Sequence, residues 1–337
     1  MSLVTSPRTN IPSSICLKPK ALLPRGTGSK RKHIPKLEKV LTKVPFDTVA
    51  EPFGQGLWIA QALHQAENSA LKCIIAAESM VDMRSIWMAW AAPWWRPEIL
   101  KQLRSWQALP IEKSWPKIKE TWETCQALGV ICPQAAAAGL AVRILTFSGI
   151  CRDTPGSGSL NIKWNKSQLK RWLGTSWLLR DDPGYRAPYT PAWPKSPPTC
   201  FHIYSDYGQV RYPSDTTRTL AFIDPPYAGD IQEPPPTRRS GRYITPAYFG
   251  HRPHAQFTYD MAVFSVRAAL AAECHTVIAC NYDSDRLHGD YLALASEFGY
   301  SCDRTVLGEL KTLNNNARAV QQATSYQDTY WVFRKSK

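Results

Sequence analysis

Apolar positions along this chain fall into two patterns. The first is a short continuous run closed by a turn residue or an acid. Leu220, Ala221, Phe222 and Ile223 run directly into Asp224-Pro225-Pro226-Tyr227, and residues 71–77, interrupted only by Lys72, run into Glu78. Residues 201–204, 276–280 and 329–333 behave alike. Runs of this length without alternation predict strands buried on both faces, as in a parallel sheet. The second pattern is a stripe at helical spacing. Ile34, Leu37, Val40 and Leu41 form one, and residues 57–66, 257–272 and 291–298 predict three further helices. Strands and helices alternate over much of the chain, which predicts an α/β fold with a mainly parallel sheet, the last run (329–333) ending it. Residues 99–200 interrupt the alternation. They carry Trp106, Trp115, Trp122, Trp164, Trp172, Trp177 and Trp193, which read as core of a smaller helical module, and a turn signal at 152–159 between two short strands. Proline-rich residues 180–200 lead back to the sheet.

Composition sharpens this picture. With 44% hydrophobic residues among 337, the chain can build an ordinary core. Its formal net charge of +14 points to a polyanion, nucleic acid before an anionic membrane surface. No apolar run approaches the roughly 20 residues that span a bilayer. Residues 1–27 are rich in Ser, Pro, Thr and basic residues, and the first acid is Glu38, so this segment reads as a basic, disordered arm. The nine cysteines are scattered without a Cys-x-x-Cys pair. His64, His202, His251, His254 and His275 show no ligand spacing with them. No metal site is expected, and a reducing cytoplasm is the expected compartment.

Candidate chemistry gathers where the runs end. Prolines cannot continue a central strand, so the chain leaves the sheet after Asp224. Ligands in open α/β sheets bind beyond the carboxyl ends of the strands. There Asp224 and the Pro225 carbonyl form a pair of acceptors suited to the two N–H groups of one exocyclic amine, and Tyr227 offers a face on which a base stacks. Upstream, Glu51-Pro52-Phe53-Gly54-Gln55-Gly56, a helix, a strand and Glu78 follow the plan of a dinucleotide-type site, with the acid placed for ribose hydroxyls. Gly28-Ser29-Lys30 before the first stripe reads equally as an anion-holding turn or a solvated basic one. Asn281 follows the strand 276–280, beside where a base would lie. Residues 228–243, with three consecutive prolines and Arg238, Arg239 and Arg242, read as a loop able to close over a ligand.

Taken together, Asp224-Pro225-Pro226-Tyr227 and the order of parts from about Gly28 to Trp331 resemble the Dam-type DNA adenine-N6 methyltransferases. Further likenesses are Glu51-Pro52-Phe53, Arg96-Pro97-Glu98 in an aromatic-rich helix over 84–103, Phe147-Ser148-Gly149-Ile150-Cys151-Arg152, Leu160-Asn161, and Ser205-Asp206-Tyr207. The glycine loop is one residue shorter than the family's pattern, Glu78 stands where Asp is usual, and Ser148 replaces Asn. The resemblance implies a Rossmann-like methyltransferase domain in two parts, 28–98 and 200–337, separated by a target-recognition insertion at 99–199 with a hairpin. It implies S-adenosylmethionine as cofactor, held by Lys30, Phe53, Gly54, Gly56, Glu78, Asp206, Tyr207 and Asp224. Asp224, Pro225, Pro226 and Tyr227 would be catalytic, and Arg152, Asn161 and Lys163 would contact duplex DNA. It implies a cytoplasmic, nucleoid-associated protein, with a cognate restriction nuclease or defence component left open. Two alternatives stay beside it: the same transfer to cytosine N4 or RNA, and a catalytically silent nucleic-acid-binding protein. Cytosine carbon-5 methylation is opposed by the order Cys132-Pro133, zinc deamination by the histidine spacing, and a serine hydrolase by the missing Gly-x-Ser-x-Gly.

Overall fold

The computed structural model describes residues 34–42, 44–54, 56–66, 69–145, 172–173, 191, 193, 196–225, 255–309 and 327–335. In chain order these form α1 (Ile34–Leu41), β1 (Thr48–Glu51), α2 (Trp58–His64), β2 (Cys73–Ala77), α3 (Val81–Ala91), α4 (Arg96–Gln107), α5 (Ile111–Leu128), α6 (Pro133–Leu145), β3 (Cys200–Tyr204), β4 (Thr219–Ile223), α7 (Ala255–Ala271), β5 (Thr276–Tyr282), α8 (Asp285–Phe298), β6 (Tyr300–Glu309) and β7 (Gln327–Lys335).

The strands make one seven-stranded sheet in the order β3-β2-β1-β4-β5-β7-β6. β1 pairs in parallel with β2 and β4, β2 with β3, and β4 with β5. β7 runs antiparallel to both its neighbours. The fold is therefore α/β with a mostly parallel sheet, compatible with a Rossmann-like arrangement, and its first five strands follow the 3-2-1-4-5 order of doubly wound folds.

The apolar run 220–223 is buried as expected, because both faces of β4 are covered. Leu220 and Phe222 point into a core shared with Leu37, Ile59, Trp87, Ile99, Trp122 and Leu140 of α1–α6. Ala221 and Ile223 point into a second core with Val266, Leu270, Leu287 and Leu294 of α7 and α8. Full burial of side chains of this size contributes about 1.5–3 kcal/mol each. Residues 99–145 form the rest of α4 and all of α5 and α6, and Ile99, Leu103, Trp106, Ile118 and Trp122 join the same core as the sheet. Trp106, Trp122 and Trp172 are buried, and Trp115 and Trp193 pack against them partly covered.

Two expectations are corrected. The helix expected over 84–103 is two helices, α3 and α4, separated by a 3-10 turn at Pro93–Trp95. Pro93 has no N–H to continue α3, while Pro97 occupies the first turn of α4, where that N–H has no helical partner anyway. The run 329–333 does not end the sheet, because β7 lies between β5 and β6. β6 escapes a reading of apolar runs since Ser301, Asp303 and Thr305 are exposed on this edge strand. No helix among the described residues is long and apolar enough to cross a membrane.

Candidate functional site

Strand order reverses between β1 and β4, and the crevice beyond their carboxyl ends is the place where such sheets bind ligands. Glu51 closes β1 and Asp224 follows β4, so both acids stand at this crevice. Glu78 follows β2 and Asp206 follows β3. Four neighbouring parallel strands thus each present an acid at the same end.

Glu51 is 4% exposed. The backbone N–H of Ala60 donates to its Oε1 at 2.7 Å, and the N–H of Ile59 also bonds to the carboxyl group. Both belong to the first turn of α2, so the end of β1 caps the following helix. Burial, seconded by the charge of Asp224, pushes the Glu51 carboxyl up to about 8; the two backbone donors act in the opposite sense. Burial thus favours the neutral form of Glu51 well above the ordinary carboxylate range, and Asp224 stands half-buried beside buried Pro225. Asn281 is 1% exposed inside β5. Its neighbours have structural work instead: Asp283 accepts from Arg304 Nε and Thr329 Oγ1, each at 2.9 Å, and Ser284 Oγ caps α8 by accepting from the N–H of Leu287.

The turn from β1 to α2 packs tightly. The Gly54 N–H donates to the Ala77 carbonyl at 3.0 Å, fixing the loop to the end of β2, and the Leu57 N–H donates to the Gly54 carbonyl at 2.5 Å. A Cβ on Gly54 would come within 2.6 Å of the Trp87 ring, so only glycine fits. Gln61 donates from Nε2 to the Gly56 carbonyl. The left-handed turn falls on Leu57, at φ 47°, a conformation that disfavours any side chain bearing a Cβ.

Beside this loop the Phe53 ring stacks on Tyr207, centroids 5.1 Å apart, and Phe264 meets Tyr207 edge-on at 6.1 Å. Pro52, Tyr207, Val210, Tyr212, Phe264 and Ser265 line a cavity of about 420 Å³. The Ser265 hydroxyl is buried there without a hydrogen-bond partner among the described residues. Burial pushes the Tyr207 and Tyr212 phenols up, so both stay neutral donors. Asp206 is exposed, and its Oδ1 accepts the Gly208 N–H at 2.7 Å, shaping the turn before the cavity. Glu78 is buried, with Oε1 accepting from the N–H of Met80 at 3.1 Å and from Ser79 Oγ at 3.4 Å at the start of α3. The Arg84 guanidinium stands close to it; burial holds Arg84 below its usual range while the Glu78 carboxylate acts the other way.

Of the residues expected at a site, Phe53, Gly54, Gly56, Glu78, Asp206, Tyr207, Asp224 and Pro225 stand at the carboxyl ends of β1–β4 or in the turns that follow them. Phe53 and Tyr207 are in direct contact. Pro226, Tyr227, Lys30, Arg152, Asn161 and Lys163, the loop 228–243 and the expected hairpin lie outside the described residues. The sequence places Glu51 in the dinucleotide-type segment and in the Glu-Pro-Phe likeness but gives it no role of its own. Its signal was an acid closing an apolar strand, the same signal as Asp224 and Glu78. Compared with protein-family models and with curated proteins, the chain matches none.

Proposed function

We propose that this chain is an S-adenosylmethionine-dependent amino-methyltransferase whose substrate is the N6 amine of adenine in duplex DNA. The observation that carries the reading is the position of Asp224 and Pro225. They leave a central buried strand at the point where strand order reverses, next to buried Glu51. The cavity beside Phe53 and Tyr207 supports the cofactor. Its aromatic walls and the unpartnered Ser265 hydroxyl suit a flat heterocycle with polar edges, such as the adenine of S-adenosylmethionine. Phe53, Gly54, Gly56, Asp206, Tyr207 and Lys30 would hold that cofactor, with Glu78 toward its ribose and Asp224 beside both ligands. When bound, it supplies an electrophilic methyl group on a sulfonium sulfur.

The protein's own part is to position the amine and to stabilise charge. The Asp224 carboxylate accepts one N–H of the amine and the Pro225 carbonyl accepts the other, which fixes the direction of the nitrogen lone pair. As that nitrogen becomes positive, the Asp224 carboxylate stabilises it. In this reading Pro226 and Tyr227 complete the motif, and Tyr227 would stack on a base taken out of the duplex, where its amine is otherwise out of reach. Arg152, Asn161 and Lys163 belong in this reading to the DNA-contacting insertion.

A second reading, a nucleic-acid-binding protein of the same fold without turnover, is favoured by the glycine loop. That loop closes on itself through the Leu57-to-Gly54 bond and packs against Trp87. Labelled S-adenosylmethionine with unmethylated duplex DNA, and with RNA in parallel, separates the two when the products are digested to nucleosides and weighed. The expected product is N6-methyladenine from DNA, with Asp224→Ala at least 100-fold slower while duplex binding is kept. Labelled N4-methylcytosine or labelled RNA would change the substrate and keep the chemistry. No transfer to any of them, together with no cofactor binding by calorimetry, would leave the binding protein as the reading.

A further inference from the structure

At the other end of the sheet, the starts of β2 and β3 bring three soft ligands together. The strands pair in parallel with Cys73 opposite Cys200 and Ile75 opposite His202. Side chains alternate faces with a period of two, so Cys73, Cys200 and His202 share one face. Their ligand atoms all lie within 4.8 Å of one another, and Cys200 Sγ is 3.1 Å from His202 Nε2. We propose that Cys73, Cys200 and His202 bind one thiophilic metal ion, Zn²⁺ being the representative.

Geometry and chemistry both bear on this. Tetrahedral zinc with sulfur at about 2.3 Å and nitrogen at about 2.0–2.1 Å separates its ligand atoms by roughly 3.5–3.8 Å. The observed cluster needs only small side-chain rotations to reach that spacing. Cys73 and Cys200 are half-buried on paired backbones, and His202 is exposed with its Nε2 already in contact with Cys200 Sγ. Two thiols and an imidazole select zinc or cuprous copper over magnesium or calcium, which take oxygen ligands. Asp47 accepts the Cys73 N–H through its backbone carbonyl at 3.0 Å, and its carboxylate lies near enough to act on Cys73 electrostatically, adding negative charge that favours a cation. Three protein ligands leave the fourth position to water or to a further group.

The cluster stands at the amino ends of the strands, away from Glu51 and Asp224, and does not depend on the methyltransferase reading. Its effect would be structural. β3 is an edge strand, and a metal at Cys200 would fasten its start to β2. The cysteines are far apart in sequence, which is why their spacing there reveals nothing.

The test uses the full chain, reduced and stripped of metal, titrated with Co²⁺ and then Zn²⁺. The expected result is one equivalent bound, with thiolate-to-cobalt charge transfer and the intense visible bands of a tetrahedral site, displaced by Zn²⁺. Cys73→Ser and Cys200→Ser should abolish the charge-transfer band, and His202→Gln should weaken affinity at least tenfold. His202 is exposed, so this variant carries the test if circular dichroism finds a cysteine variant unfolded. The proposal is overturned if no thiolate band appears at one equivalent. It is equally overturned if the band survives Cys200→Ser and His202→Gln but is lost on changing Cys125 or Cys132, whose sulfurs lie 3.9 Å apart.

Discussion

Glu51 is the residue on which pH should act most clearly. Folded, its carboxyl keeps a proton up to about pH 8; unfolded, it gives that proton up near its ordinary value of 4.5. Between these values the folded state binds more protons, so the stability Glu51 confers is full at low pH and is lost as pH rises through 8. Glu51→Gln keeps an acceptor for the Ala60 N–H and cannot ionise. Urea unfolding should therefore find the two proteins similar at pH 5 and the Gln variant ahead by roughly 2–4 kcal/mol at pH 9. A difference that stays flat with pH would mean Glu51 is not held neutral. Leu57 sets two effects against each other. Its left-handed backbone disfavours a side chain by about 1–2 kcal/mol, yet the side chain is fully buried, and removing it from a core costs about 3–5 kcal/mol. Burial wins, so Leu57→Gly should lower stability by about 2–3 kcal/mol in thermal or urea unfolding despite easing the backbone. The place of Asp224 at the end of a buried strand was legible from sequence, because an apolar run closed by an acid and two prolines has to leave the sheet there. The proton on Glu51 was not, since it depends on α2 folding back over the carboxyl group and on Asp224 arriving from a distant part of the chain.

Among the elements, α3, α5 and α6 are joined by one buried ion pair. Arg143 on α6 donates to Asp82 on α3, and Gln126 Nε2 on α5 donates to the same carboxylate at 2.8 Å. Asp82 is 1% and Arg143 7% exposed, so removing one partner leaves a charge uncompensated in the core. Arg143→Met should destabilise by about 3–5 kcal/mol, and Asp82→Leu added to it should recover part of the loss, because the pair replaced by apolar groups leaves no orphan charge. Urea midpoints of the two single variants and the double variant measure this; strictly additive losses would mean that the pair is not coupled. Periodicity does not delimit these helices, since α6 is buried on every side from Ala135 to Leu145 and α3 is expected only within one helix over 84–103, and it cannot tell that one glutamine, one aspartate and one arginine meet. The same limit applies to β6 and β7. An exposed edge strand has polar residues where a buried strand has apolar ones, and the insertion of β7 beside β5 is a matter of pairing, which apolar runs do not record.

For the whole molecule, charge and sheet order give the proposal its scale. The order β3-β2-β1-β4-β5 sets four acids along one edge, while the formal net charge is +14, so a polyanion must be held by basic residues outside that edge. Residues 1–33 hold Arg8, Lys18, Lys20, Arg25, Lys30, Arg31 and Lys32 and no acid, which is half of the net charge in a tenth of the chain. Each phosphate neutralised by such a residue releases counterions, and duplex affinity then falls with salt at a slope of about −0.9 per contact. Fluorescence anisotropy with a labelled duplex between 50 and 200 mM salt should show binding by the full chain weakening by roughly 10³–10⁵, the range expected for 6–10 contacts. A chain starting at Ile34, which keeps α1 whole, should bind more weakly at 50 mM and with a shallower slope, because those contacts no longer contribute. An unchanged slope would place the contacts within residues 34–337. A slope near zero for the full protein would remove duplex DNA as its partner, since a chain this basic cannot grip a phosphate backbone without releasing ions.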